Sequence, residues 1–534
     1  MTVPIPALSA AEREKYDIFF PPLPNYGPPT LGKRFKWAVL RIGPPRPFQQ
    51  EEERRAEERE KEERKWERQR DGDVDRAILE SHGGWCPSEG GRDKMIRDVG
   101  YYARRVGLDC EELKVQTEDG HILVLWHVYD PREYIPLPAA LRGIRGPESI
   151  DAIRPPSRKL EPQERGQTKE EERRYPILMI HGLLQSAGVY ATNDEHSLAF
   201  WLCKEGFDVW LGNCRAGFTP EHVELDNQNP EMWNWDLRHM ATLDLPALTA
   251  RVLSETSFSK LALVGHSQGT TATLIALSRF SRPSLSSKLS VACLLAPAFY
   301  AASLLTTKFV FRFMRLIPLS AFTLLFGRTS FIPVMGKLGY LHGKVPENWI
   351  GGPSYAAYRF LFNWTDQNWD RGRGTGAMAW WLGRGGFADR DCVLSIKEEL
   401  ERENIEDLLE DFEKGATGSI NPAEASTLRE KLRKDEEKGF RSECWFPEYT
   451  APLAFWAAGD DELVDGKRLL NRFRRGREPN ANIVHKHVVA GYEHLDVVWS
   501  CDAVEKVGWE MRNVIWKSVQ DKSEIRNPRG CVDI

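Results

Sequence analysis

The chain has 534 residues, more than one compact core usually holds, yet α/β folds with insertions reach this length as a single catalytic unit. Its 73 Lys+Arg against 78 Asp+Glu give a formal charge of -5 with both signs interspersed, which argues against a nucleic-acid binder that depends on counterion release. The nine Cys are scattered, without a C-x-x-C pair or a Cys/His cluster, so neither a disulfide scaffold nor a Cys-based metal site is expected, and a reducing compartment is.

The first 92 residues read as an extension. It is Pro-rich to about residue 48, and Gln49 to Arg70 then alternates Glu and Arg with i,i+4 opposite charges, the pattern of a solvated helix. No basic leader precedes an apolar run of signal-peptide length, so an intracellular, non-secreted protein is expected. No uncharged apolar stretch reaches the roughly 18 residues a spanning helix needs, which leaves surface contact as the expected mode of any membrane association.

Residues 93–298 read as the first part of a folded core. "CEELKVQTEDGHILVLWHVYD", from Cys110, alternates around Asp119-Gly120 as a hairpin does. A Pro-, Arg- and Glu-rich insertion follows over 132–174. Then "YPILMIHG", "FDVWLGN", "KLALVGH", "LSVACLLAPA" and, later, "PLAFWAAG" are short apolar runs, each ending near Gly, Asn, His or Pro. Helix-length stretches such as Asp236 to Leu253 separate the earlier ones. Buried parallel strands alternating with helices predict a doubly wound, mostly parallel α/β sheet. Two insertions interrupt it: an apolar, aromatic, Gly-rich one over 299–391 and a charged one over 392–443 that reads as a solvated helix pair. The core resumes over 444–520, and 521–534 form a tail.

The run "LALVGHSQGTTATLI" carries the chemistry. Gly265, Ser267 and Gly269 meet the G-x-S-x-G pattern, with a strand before them and a helix over Thr270 to Phe280 after. A serine hydroxyl is a poor nucleophile at neutral pH, so a histidine must take its proton and an acid must orient that histidine. "AFWAAGDDELVD" supplies Asp460, Asp461 and Asp465 after a late strand, and "AGYEHLDVVW" supplies His494, in the chain order Ser, acid, His. Position in the loop does not separate Asp460 from Asp461. For the developing oxyanion, the N–H of Gln268 is one donor, and the second is expected from His181-Gly182-Leu183-Leu184. No metal or organic cofactor is required.

Taken in order, "HGLLQSAGVY", "SLAFWLCKEGFDVWLGNCRAG", "DLPALTARVL", "VGHSQGTT" and "YEHLDVVW" resemble the acid lipase family of α/β-hydrolases, which includes gastric and lysosomal lipases and fungal steryl ester hydrolases. The resemblance runs from about Cys110 to Val507, insertions excluded. It implies an α/β-hydrolase fold with a mainly helical cap over 299–391, Ser267 as nucleophile, Asp461 as acid, His494 as base, and Leu183 with Gln268 as oxyanion donors. One block departs: the family's "GNSRGN" reads "GNCRAG" here, with Cys214 and Ala216.

The expected activity is hydrolysis of long-chain fatty acyl esters, steryl esters first and triacylglycerols as the alternative. The rival of another class is a catalytically silent lipid-binding scaffold on the same fold. The cap is expected to meet a membrane or lipid-droplet surface. Its apolar run is interrupted by Lys308, Arg312 and Arg315, and Trp380 with Trp381 suit an apolar–polar boundary.

Overall fold

The computed structural model describes residues 18–20, 98–138, 140–146, 150, 173–215, 220–226, 229–281, 283–307, 316, 380–382, 384–415, 420–437, 444–500 and 502–531. The charged stretch Gln49 to Arg70 and most of the insertions at 132–174 and 299–391 lie outside them.

Helix α1 (Val99–Arg105) starts at Asp98, whose carboxylate accepts the Gly100 N–H. Strands β1 (Asp109–Gln116) and β2 (His121–Tyr129) then pair antiparallel in register from Asp109 with Tyr129 to Gln116 with Ile122. Thr117 to Gly120 make the turn, with Gly120 at φ +92°, a conformation that glycine alone adopts without strain.

The chain continues through β3 (Pro176–Ile180), α2 (Leu198–Glu205), β4 (Asp208–Gly212), the two-residue β5 (Glu221–His222) and α3 (Leu245–Thr256). It goes on through β6 (Leu261–His266), α4 (Gln268–Leu277) and β7 (Leu289–Leu295). After the first insertion come the charged helices α5 (Lys397–Glu413) and α6 (Pro422–Glu437), then β8 (Leu453–Ala458), α7 (Gly466–Arg474), β9 (Ile483–Val489) and α8 (Trp509–Ser518). The strand order is β1-β2-β4-β3-β6-β7-β8-β9, with β5 against β2. Pairing is parallel from β4 onward along this order.

Every residue of β3, β6, β7 and β8 is buried, because helices cover both faces of the sheet. Consecutive side chains therefore enter different cores. Leu178 and Ile180 join Leu248 of α3 and Leu274 of α4, while Ile177 and Met179 join Leu202 of α2 and Met511 of α8. At the sheet edge, β9 alternates half-buried and exposed residues until Val489.

Two stretches differ in detail from the sequence pattern. Asp236 to Leu253 is not one regular helix, since Met240–Asp244 form a π-helical turn before α3. The charged helix α5 is docked rather than solvated. Its Glu403 is buried and accepts from Tyr300 (3.0 Å) and from Arg472 of α7 (3.1 Å), and Arg475 and Arg477 reach Asp407 at 3.1 and 2.6 Å.

Candidate active site

Ser267 lies between β6 and α4 at φ +50°, ψ -114°, a strained conformation for a non-glycine residue that costs on the order of 1–3 kcal/mol. Its N–H donates to Leu295 O, and its carbonyl accepts Thr270 N–H (2.9 Å) and the Thr270 hydroxyl (2.5 Å), so the turn is held from both sides. The two glycines are steric requirements. A Cβ on Gly265 would lie 2.9 Å from the Gly269 carbonyl carbon, and one on Gly269 would lie 2.7 Å from Ile180 O. Their absence of side chain lets the elbow press against the end of β3. The helix starts at Gln268, two residues earlier than the apolar spacing suggests, and ends at Leu277.

The acid comes from the turn after β8. Asp461 Oδ1 accepts N–H groups from Leu463 (2.9 Å) and Val464 (3.0 Å), which turns Oδ2 toward His494 Nδ1 at 2.7 Å. His494 follows β9, and its Nε2 lies 2.7 Å from Ser267 Oγ. Chemistry orders the protons: Nδ1–H donates to the carboxylate, leaving Nε2 to accept from the serine. Asp465 is engaged elsewhere, capping α7 through the Arg468 N–H, and the Asp460 N–H donates to Tyr492 O. Of the three aspartates, Asp461 is the one on the histidine.

Behind this row lies a side chain the sequence reading did not single out. His266 is fully buried, its ring 5.4 Å from that of His494, with Nε2 3.2 Å from His494 O and Nδ1 3.1 Å from Gln185 Oε1. Burial, then the neighbouring His494 and His181, push its pKa down to about 3, so it is neutral. Gln185 Oε1 also accepts the Gly182 N–H at 2.9 Å, tying the loop after β3 to the elbow strand. Leu183 sits in that loop between Gly182 and Leu184, the latter at φ +60°. Gln268, as the first residue of α4, has an N–H without an intrahelical acceptor.

The Gln268 side chain is also fixed. Its Oε1 accepts from Trp381 Nε1 at 2.9 Å, and Trp380 Nε1 donates to Phe19 O. Both tryptophans are at most 5% exposed, which corrects their placement at an apolar–polar boundary: their N–H groups are satisfied inside the protein. Other expected interfacial residues, Lys308, Arg312 and Arg315, lie outside the described residues, while Leu316 is 76% exposed.

In the departing block, Cys214 is buried and its N–H donates to His181 Nε2 at 3.2 Å, while burial raises its thiol pKa well above the ordinary range. Next to it, the buried Arg215 pairs with Asp244 and Asp119, both at 2.7 Å, and pins the end of β4. Ala216 lies outside the described residues.

Known proteins of similar sequence point to ester hydrolysis. Residues 99–194 match a partial alpha/beta-hydrolase lipase region, and 175–349 match the alpha/beta hydrolase fold. Sterol esterase 2 of Saccharomyces cerevisiae is 31% identical over 444 residues, covering 78% of this chain and 71% of that protein. Gastric triacylglycerol lipase of Rattus norvegicus is 25% identical over 413 residues, covering 76% and 88%. The Bos taurus gastric triacylglycerol lipase is 40% identical over a shorter 159 residues, 29% and 39%. By sheet topology, sequence blocks and these relatives, the chain belongs to the acid lipase family of α/β-hydrolases and is a carboxylic ester hydrolase.

Proposed function

We propose that the enzyme hydrolyses long-chain fatty acyl esters, steryl esters first, through Ser267, His494 and Asp461. The observation that carries this reading is the unbroken row from Ser267 Oγ to His494 to Asp461, 2.7 Å at each step. In the proposed sequence His494 Nε2 takes the serine proton as Oγ attacks the ester carbonyl. The imidazolium that forms is stabilised by Asp461. The N–H groups of Leu183 and Gln268 receive the charge on the carbonyl oxygen. Collapse expels the alcohol, protonated by His494, and leaves an acyl-serine. Water, deprotonated by the same histidine, then releases the fatty acid and restores the serine.

The sterol preference is supported by the 31% identity with a protein named sterol esterase over most of the chain. A triacylglycerol substrate is the second reading, favoured by the 40% identity with a gastric triacylglycerol lipase over 159 residues. Surface association through the cap belongs to the same proposal. No helix among the described residues is long and apolar enough to cross a membrane, and the exposed Leu316 lies in the apolar run of the cap.

The test is fatty-acid release from emulsified cholesteryl oleate and, in parallel, triolein, by the wild type and Ser267→Ala. Turnover by the wild type that the folded variant loses supports the mechanism, and the ratio of rates names the alcohol. Equal inactivity of both proteins on both lipids, with binding retained, would transfer the reading to a lipid-binding scaffold.

A further inference from the structure

The edge strand β9 carries two histidines at i and i+2, His485 and His487, which a strand places on one face. On that face Glu510 of α8 reaches both: Oε2 lies 3.2 Å from His485 Nε2 and 2.6 Å from His487 Nδ1. The three ligand atoms lie within 4.8 Å of one another. None of the three belongs to the row on Ser267, and the proposed hydrolysis uses none of them.

We propose that His485, His487 and Glu510 form a binding site for a divalent ion of the zinc class. Two imidazoles and one carboxylate suit Zn²⁺, whereas Mg²⁺ and Ca²⁺ require mostly oxygen donors. With metal–ligand bonds of about 2.0–2.2 Å, a tetrahedral ion spaces its ligand atoms about 3.3–3.5 Å apart. The present spacings need adjustments on the order of 1 Å to reach that. The side chains are 24%, 35% and 41% exposed, so an ion has access and a water can complete the coordination.

The ligands are also pre-oriented from behind, as metal ligands usually are. The fully buried Trp456 of β8 donates its indole N–H to Glu510 Oε2 at 3.0 Å, and its ring packs on His485 with centroids 4.7 Å apart. An ion here would clip β9 to α8, and β9 leads directly into the loop that bears His494.

The experiment is calorimetric titration of the full chain, stripped by chelator, with ZnCl₂ at about pH 7.5. The expected result is one equivalent bound by the wild type, weakened roughly 100-fold or more in His485→Gln/His487→Gln and about tenfold in Glu510→Gln. MgCl₂ is expected to produce no such isotherm. Equal zinc titration of the wild type and the double variant, or no uptake by the wild type, would overturn the proposal. Should the double variant lose its circular dichroism, the single His487→Gln, at a half-exposed position, decides by the same criterion. Because the readout is metal uptake and not turnover, its outcome does not depend on the role of Ser267.

Discussion

Replacing Asp461 by Asn tests the site at the atom that orients the base. Asp461 Oδ1 is held by the N–H groups of Leu463 and Val464, so an Asn keeps its carbonyl oxygen there and presents its NH₂ to His494 Nδ1. That contact requires an unprotonated Nδ1. The ring proton moves to Nε2, which then faces Ser267 as a donor and no longer accepts its proton. Loss of the correct tautomer costs about 10⁴-fold in kcat, or about 5 kcal/mol of transition-state stabilisation, with KM little changed. The assay is initial-rate hydrolysis of soluble p-nitrophenyl butyrate, which removes the lipid interface from the measurement, with Ser267→Ala as the floor. Asp460→Asn, whose parent residue is anchored to Tyr492 through its backbone, is expected to stay near wild type. An Asp461→Asn enzyme that melts like the wild type yet keeps more than about a tenth of its rate would refute the tautomer reasoning.

Two further outcomes follow from buried groups. Gly269→Ala drives a methyl to 2.7 Å from Ile180 O and 2.9 Å from His181 O; backbone must shift, so thermal melting is expected to show a loss of about 1–3 kcal/mol together with collapse of kcat, and an unchanged melting temperature would contradict it. His127 is buried between Asp208 (2.7 Å) and Glu111 (2.9 Å); burial lowers its pKa, but the two carboxylates outweigh this and raise it to about 9 from an ordinary 6.5. A raised folded pKa contributes stability that is complete below pH 6.5 and is lost as pH rises through 9, about 3 kcal/mol in all. Denaturant unfolding across that range is expected to show the decline in the wild type and its absence in His127→Gln; parallel profiles for the two proteins would remove His127 as its source.

Strand positions were legible because a parallel strand covered on both faces must be apolar throughout, as "LALV" and "VACLL" are. The elbow was legible because two close backbone approaches admit glycine alone. Choosing Asp461 over Asp460 was beyond the residue pattern, since adjacent loop aspartates differ only in which one the turn points inward; the family resemblance made that choice. Trp380 and Trp381 misled because an indole needs one apolar side and one polar partner, and a buried acceptor such as Gln268 Oε1 serves as well as a membrane boundary. The docking of α5 was hidden for a different reason. Glu403 finds its partner 69 residues later in the chain, where no local charge pattern can reveal it. His266 stands inside the motif at a position the pattern leaves open, and its contact with His494 spans 228 residues.

The same long reach has a consequence during synthesis. Ser267 and His494 are 227 residues apart. At roughly 5–20 residues per second, the ribosome delivers the elbow on the order of 10–45 seconds before the histidine that would activate it. On the proposed mechanism, Ser267 is without its base through that interval. Hydrolysis therefore waits for β9, the edge strand that leads into His494, to take its place beside β8.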